Sequence, residues 1–285
     1  MNPIPSSELI LNPNGSIYHL YLLPEQIGDT IFTVGDPNRV EQVSRHFDKV
    51  EFRMQKREFI THTGQLNGKR VSVISSGMGT DNIEILLTEL DALANIDLKT
   101  RTPKSETRAL SIIRLGTSGA LQPDVPLDSL LVSDYAIGLD TLMCFYDLPQ
   151  SPIELSIVKN LRHDLQLPFT PYAVAADPDL KQQFAHDMVP GNTITCPGFY
   201  APQGRKLRLA PKNPDYIPTL VNFEHKGFKL TNFEMETAGY YAMAHLLGHK
   251  ILSINAIIAS RTSHEFSPNP QKTIDKMIET VLERL

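Results

Sequence analysis

Two carboxylates and one arginine are the groups in this sequence best placed to do chemistry. Glu234 and Glu236 flank Met235, where the alternating run Phe228–Leu230 gives way to Met235, Ala238, Ala242 and Leu246 at helical spacing. Carboxylates at such a strand-to-helix switch complement the positive end of a helix dipole, and they are equally able to act on a ligand. Arg114 sits inside the apolar run Ser111–Leu115, which leads into a Gly/Thr/Ser loop. A guanidinium there is costly to bury unless an anion or a carboxylate answers it. Gly35-Asp36-Pro37-Asn38-Arg39 ends the β-prone run Thr30–Val34 and opens a helix with Val40, Val43 and Phe47 on one face. That turn offers backbone N–H groups and a charged donor to an anion such as phosphate; it also reads as a plain strand-to-helix turn. The loop Pro197–Arg205 carries Phe199, Tyr200, Gln203 and Arg205, which suit a flat heterocycle with donors and acceptors, although Gln and Arg in a Pro/Gly-rich loop are also ordinary solvated residues. His19, alone in Ser16–Leu22, reads on its own as structural or surface-facing.

These groups need rigid elements beneath them. Strands are expected at Thr30–Val34, Val71–Ser76, Ser111–Leu115, Ser129–Ala136, Tyr172–Ala176, Asn192–Cys196 and Lys250–Ala259, with a hairpin through Asn67-Gly68. Helices are expected with Ile83, Leu86, Leu87, Leu90 and Leu93 inward, capped by Thr80 or Asp81; over Glu154–Leu165 with Leu155, Val158 and Leu165 inward; over Asp179–Asp187; and at the C-terminus with Ile274, Ile278, Val281 and Leu285 inward. Ser16–Leu22 suits a short strand or an arm laid on a neighbour, and 98–109 a charged surface insertion. The alternation implies an α/β fold, a single-domain three-layer α/β/α sandwich over 1–285 with a mixed, largely parallel central sheet, its ligands at the strands' C-terminal ends.

Composition narrows the class. With 285 residues, 41% hydrophobic, 21% charged and a net charge of −5, the chain has neither the basic excess of a nucleic-acid binder nor the bias of a disordered one. No cationic segment with an apolar core opens it, and no run approaches the roughly 18 apolar residues of a membrane span, so a cytoplasmic protein is expected. Cys144 and Cys196 lack partners at metal-ligand spacing and are expected as buried thiols, with no disulfide or zinc site. Gly77-Met78-Gly79 lacks the third glycine and the acidic partner of a dinucleotide fingerprint.

The order Gly35-Asp36-Pro37-x-Arg39, Arg57-Glu58, Arg114-x-Gly116-Thr117-x-Gly119, Phe199-Tyr200 with Gln203-x-Arg205, Glu234-Met235-Glu236 and Arg261 resembles the nucleoside phosphorylases of the hexameric and dimeric α/β family, most closely the uridine phosphorylases, from His19 to the C-terminal helix. The resemblance implies that Gly35, Arg39, Arg114 and Thr117 bind phosphate, joined by Arg57 from a second subunit. It implies that Met235, Glu236 and Thr117 hold a ribose, with Glu234 nearby and His19 reaching the 5′-hydroxyl from the partner. Phe199, Gln203, Arg205 and Arg261 are implied at the base, and Arg114, Gln203, Arg205 and Glu236 as the catalytic set. No cofactor is implied beyond phosphate as co-substrate, with a monovalent cation near Glu58 at a subunit interface. A homodimer is the implied minimal unit and a hexamer the larger assembly. Purine-specific relatives carry an aspartate after the last core strand; Ser260 stands there, and serine cannot supply a proton at neutral pH. The expected reaction is therefore reversible phosphorolysis of uridine, with purine phosphorolysis, nucleoside hydrolysis and silent nucleoside binding as alternatives. The N-terminal extension, 98–109 and 176–190 exceed the compact bacterial pattern.

Overall fold

The computed structural model describes residues 2–285. Eleven strands make one mixed sheet: Thr30–Val34 (β1), Lys49–Lys56 (β2), Phe59–Leu66 (β3), Lys69–Ser75 (β4), Ser111–Ala120 (β5), Leu130–Gly138 (β6), Tyr172–Ala175 (β7), Val189–Thr195 (β8), Asn232–Glu234 (β9), Lys250–Ser260 (β10) and Glu265–Phe266 (β11). Seven α-helices connect them: Pro37–Ser44 (α1), Thr80–Asn95 (α2), Pro152–Asp164 (α3), Pro178–Phe184 (α4), Tyr216–Asn222 (α5), Thr237–Leu247 (α6) and Pro270–Leu282 (α7). Proline occupies the first turn of α1, α3, α4 and α7, where no N–H is needed. Side chains of Asp36, Ser151, Asp177 and Asn269 cap those same four helices.

Strand order is β11-β10-β6-β8-β9-β5-β1-β4-β3-β2, with β7 on β6. Strand β10 pairs with both β6 and β5, so β5, β10, β6, β8 and β9 close into a ring from which β1, β4, β3 and β2 extend as an open wall. Register shifts at Gly191/Asn192 in β8 and Ile257/Ala259 in β10 bend the strands enough to close it. Helices cover both faces, as an α/β sandwich requires. On one face α2 and α6 bury Leu86, Leu90, Tyr240 and Tyr241; on the other α1, α4 and α7 bury Val40, Val43, Phe184, Ile278 and Val281. Helices α3 and α5 bury Ile157, Leu161 and Leu220 over a third cluster.

Several expectations change. The glycines after Arg114 are part of β5, not a loop, because they make room for neighbouring side chains rather than for a turn. The strand feeding Glu234 is β9; Phe228–Lys229 instead forms a small hairpin with Glu224–His225. Helix α6 has no apolar stripe, since every residue from Thr237 to Ala244 is buried, while Met235 is half-buried in the turn before it. In α3, Leu155 is exposed and Ile157, Val158 and Leu161 face the core. Helix α4 stops at Phe184, α2 begins after Gly79 with no side-chain cap, and α7 ends at Leu282, leaving Leu285 half-buried. Cys144 is exposed, and only Cys196 is buried. Ser16–Leu22 is not a strand: Ile17, Leu20 and Leu22 pack into this chain's own core beside α2, and Arg101 donates to the carbonyls of Ile4, Pro5 and Leu9. Residues 98–109 are mostly exposed, around a short hairpin of Ile96–Asp97 with Thr102–Pro103. Among the described residues, no helix is long and apolar enough to cross a membrane.

The open wall depends on one close approach. A Cβ on Gly64 would lie 2.1 Å from Lys49 O and 3.0 Å from Val50 Cα, backbone atoms beside the irregularity between Val50 and Phe52. Gly64→Ala is expected to destabilise the protein by about 1–3 kcal/mol, as overpacking does, read as a lower denaturant midpoint at an unchanged slope.

Candidate active site

Strand β5 carries Arg114 into the protein interior, where it is 4% exposed. Two carboxylates answer its charge through one nitrogen: Arg114 Nη2 lies 2.7 Å from Glu236 Oε2 and 2.8 Å from Glu234 Oε2. Nη1 donates to Asn255 Oδ1 at 2.9 Å and to Ser253 Oγ at 3.4 Å, both on β10. Burial pushes the guanidinium pKa down, but Glu234 and Glu236 outweigh it and hold Arg114 above its ordinary value. Gly116 makes the pairing possible: a Cβ there would sit 1.9 Å from Nη1, because residues two apart on a strand share a face.

The two glutamates are not equivalent. Glu234 caps α6, accepting from the backbone N–H of Glu236 and Thr237 and from Thr195 Oγ1 at 2.7 Å. Glu236 reaches outward to the next helix, where Gly79 N, at the start of α2, donates to its Oε1 at 2.9 Å. Burial, opposed by Arg114 and reinforced by Glu234, raises the Glu236 pKa above its ordinary value. Glu234 is therefore a fixed support, and Glu236 is the carboxylate available to a ligand.

The glycine turn after β1 adjoins this pair. Gly77 N donates to Gly35 O at 3.1 Å, tying that turn to the loop that presents Gly79. Arg39 Nη1 donates to Leu115 O at 3.3 Å, one residue beyond Arg114. Among the described residues no carboxylate forms an ion pair with Arg39; Asp36, the nearest acid felt by it, caps its own helix through Asn38 N. Burial lowers the Arg39 pKa, Asp36 opposes this, and the like charge of Arg114 adds to it. A half-buried cation in this state is able to take up an anion. Gly35, in the turn after β1, and Thr117, three residues beyond Arg114 on β5, are half-buried.

The loop after β8 begins against Glu234, since Cys196 N donates to Glu234 O at 2.8 Å. Within it Arg205 stacks 3.6 Å over the Phe199 ring and donates from Nη1 to Phe199 O and to Oε1 of the buried Gln203. Arg261, after β10, donates to Gly204 O at 3.3 Å and so pins this loop. Burial lowers the pKa of both arginines, and Arg261 lowers Arg205 further. Among the described residues no carboxylate is ion-paired to Arg205 or Arg261: the Ser260 hydroxyl pairs with Thr262 and accepts from Ser263 N, and Glu265 is exposed on β11.

The structure thus brings together Gly35, Arg39, Arg114, Thr117, Glu234, Met235 and Glu236, and separately joins Phe199, Gln203, Arg205 and Arg261. Three sequence candidates lie elsewhere in the chain. Arg57 is exposed on the β2–β3 turn with φ 54°, Glu58 packs against Gly77, and His19 Nδ1 lies 2.7 Å from Glu89 Oε1 on α2. Sequence reasoning missed Gly79, Thr195, Ser253 and Asn255. The last two had a visible signal, being polar residues in the otherwise apolar Ile251–Ile258 run.

A family model described as the phosphorylase superfamily matches residues 29–284. The chain belongs to that superfamily. Within it, uridine phosphorylase of Thermococcus kodakarensis is 28% identical over 267 residues, covering 94% of this chain and 86% of its own length. That of Haemophilus influenzae is 27% identical over 271 residues, covering 93% and 96%. Among solved structures, a Trypanosoma brucei nucleoside phosphorylase shown to have uridine phosphorylase activity superposes with a TM-score of 0.88 at 27% identity, covering 97% of this chain and 99% of its own.

The unequal glutamates predict unequal costs. Glu234→Ala leaves Arg114 under-compensated and α6 uncapped, and should destabilise by about 3–5 kcal/mol. Glu236 has a raised folded pKa, so its contribution to stability is complete below the unfolded pKa and is lost as pH rises through the folded one. Glu236→Gln should therefore gain stability relative to the parent as pH rises above the ordinary glutamate value of about 4.3, measured by denaturant titration at several pH values.

Proposed function

We propose that this protein catalyses the reversible phosphorolysis of uridine to uracil and ribose 1-phosphate. The observation that carries the reading is Arg39, a half-buried guanidinium with no ion-paired carboxylate among the described residues, hydrogen-bonded one residue beyond Arg114, whose own partner Glu236 meets the N-terminus of α2. An anionic co-substrate completes that charge arrangement. Phosphate bound at Gly35, Arg39, Arg114 and Thr117 attacks C1′ of the ribose, and the C1′–N1 bond breaks with its electron pair leaving on the base. Glu236 and Met235 hold the sugar hydroxyls, and positioning rather than a protein nucleophile drives the step. Gln203, Arg205 and Arg261 answer the negative charge on the departing base. A cationic pocket without an acid suits uracil leaving as an anion better than a purine that must be protonated.

In the same reading two copies share each site. His19 from one copy reaches the ribose 5′-hydroxyl and Arg57 the phosphate of the other, as the resemblance to the nucleoside phosphorylases implies; among the described residues neither is hydrogen-bonded or ion-paired to Glu234, Glu236, Arg114 or Arg39 of its own chain. Met78 and Phe145, 74% and 81% exposed, are apolar side chains for a second copy to cover. Tyr146 bonds Glu84 and so holds the Phe145 loop against α2, near Met78. A monovalent cation beside Glu58 and assembly of dimers into a hexamer belong to this proposal as well.

Free base released from uridine, thymidine and inosine, with and without phosphate, tests it. Phosphate-dependent uracil release is the expected result; release without phosphate, or none, overturns it. Arg39→Ala should raise the KM for phosphate by roughly 10-fold or more. Arg205→Ala should raise the barrier by about 2.7–4 kcal/mol with the fold retained. The acid limb of kcat/KM should lie above the ordinary glutamate value of about 4.3, following the raised Glu236.

A further inference from the structure

Inside the ring of β5, β10, β6, β8 and β9, one buried polar side chain from each strand joins a continuous relay. It starts on β5 at Ser118, whose Oγ accepts from Asn232 Nδ2 at 2.9 Å. Asn232 Oδ1 accepts from Thr193 Oγ1 at 3.0 Å, and Thr193 pairs with Ser133 Oγ at 2.6 Å. Ser133 Oγ accepts from Asn255 Nδ2 at 3.2 Å, and Asn255 Oδ1 then accepts from Arg114 Nη1, returning the relay to β5. Beside the relay Ala120, Val125, Leu131 and Ile257 form an apolar cluster, with Leu131 opposite Asn255 in the β10–β6 pairing.

The relay fixes which way the Asn255 amide faces. Its NH2 group is held by Ser133 Oγ and, at 3.4 Å, by Ser253 Oγ, so its oxygen is the atom presented to the guanidinium. A flipped amide would set donors against donors. Nη2 donates to Glu236 Oε2 and lies 2.8 Å from Glu234 Oε2, while the other end of the guanidinium is anchored by Asn255 on Nη1, the shorter of its two contacts there, with Ser253 Oγ at 3.4 Å.

We infer that Asn255 is a positioning residue for the proposed phosphorolysis: by orienting Arg114 it sets where the Glu236 carboxylate stands between Arg114 and Gly79, without touching substrate itself. This role rests on the phosphorolysis reading.

The test compares Asn255→Leu, which removes the acceptor, with Asn255→Asp, which keeps one, and with Val125→Ala, which opens a cavity in the apolar cluster from the connection between β5 and β6. Uridine phosphorolysis and thermal stability are measured for each. Asn255→Leu should lower kcat by about 100-fold, the scale of a small misplacement of a catalytic group, and Asn255→Asp should restore most of that loss. Val125→Ala should lower stability but leave kcat within about threefold. Unchanged kcat in Asn255→Leu, no recovery in Asn255→Asp, or an equal loss of kcat in Val125→Ala overturns the positioning role alone. A parent protein without phosphate-dependent base release overturns the phosphorolysis reading, and the role with it.

Discussion

A guanidinium held inside a β-sheet by two carboxylates is the contact on which this molecule turns. Arg114, Glu234 and Glu236 come from a strand, the end of another strand and the entry to a helix, and their pairing fixes how β5, β9 and α6 sit relative to one another. Buried ion pairs are weak sources of stability, because desolvation offsets much of their attraction. Apolar residues of similar volume would hold the ring as well. What the charged trio supplies instead is a carboxylate at a set position, facing a helix N-terminus.

Charge then falls into three zones. The central zone has two acids for one base and is locally negative. On either side lie arginines that form no ion pair among the described residues: Arg39 beside the glycine turn, and Arg205, in the loop that leaves β8, with Arg261 after β10. A ligand with an anionic group at one end, hydroxyls in its middle and an electron-rich ring at the other would complement all three. The backbone links between Gly35 and Gly77, and between Cys196 and Glu234, keep the zones in register.

Much of this was legible in the sequence, and the reasons are local. An arginine in an apolar strand demands a counter-charge, and the alternation of strands and helices implies a covered sheet. The ring was not legible, because closure depends on which distant strands pair and on bulges in β8 and β10 that leave no composition signal. Gly116 looked like part of a loop because a glycine needed for close packing and one needed for a turn read alike. Leu155 looked buried because the helical stripe admits two phases, and only the neighbouring strands choose between them. Asn255 and Ser253 broke an apolar run just as Arg114 did, but uncharged groups draw less notice although their burial carries the same demand for a partner.

Closure of the ring also sets an order in time. Arg114 and Glu236 are separated by 122 residues, and Arg114 and Asn255 by 141. As the chain leaves the ribosome, β5 is complete long before any of its counter-charges has been made, and contacts of such long range form slowly. Until β10 docks, Arg114 must stay hydrated and one edge of β5 stays open to other chains. The last long strand to be synthesised is therefore the one that turns a nascent sheet into a site, and any excursion that detaches it takes Ser253 and Asn255 away from Arg114.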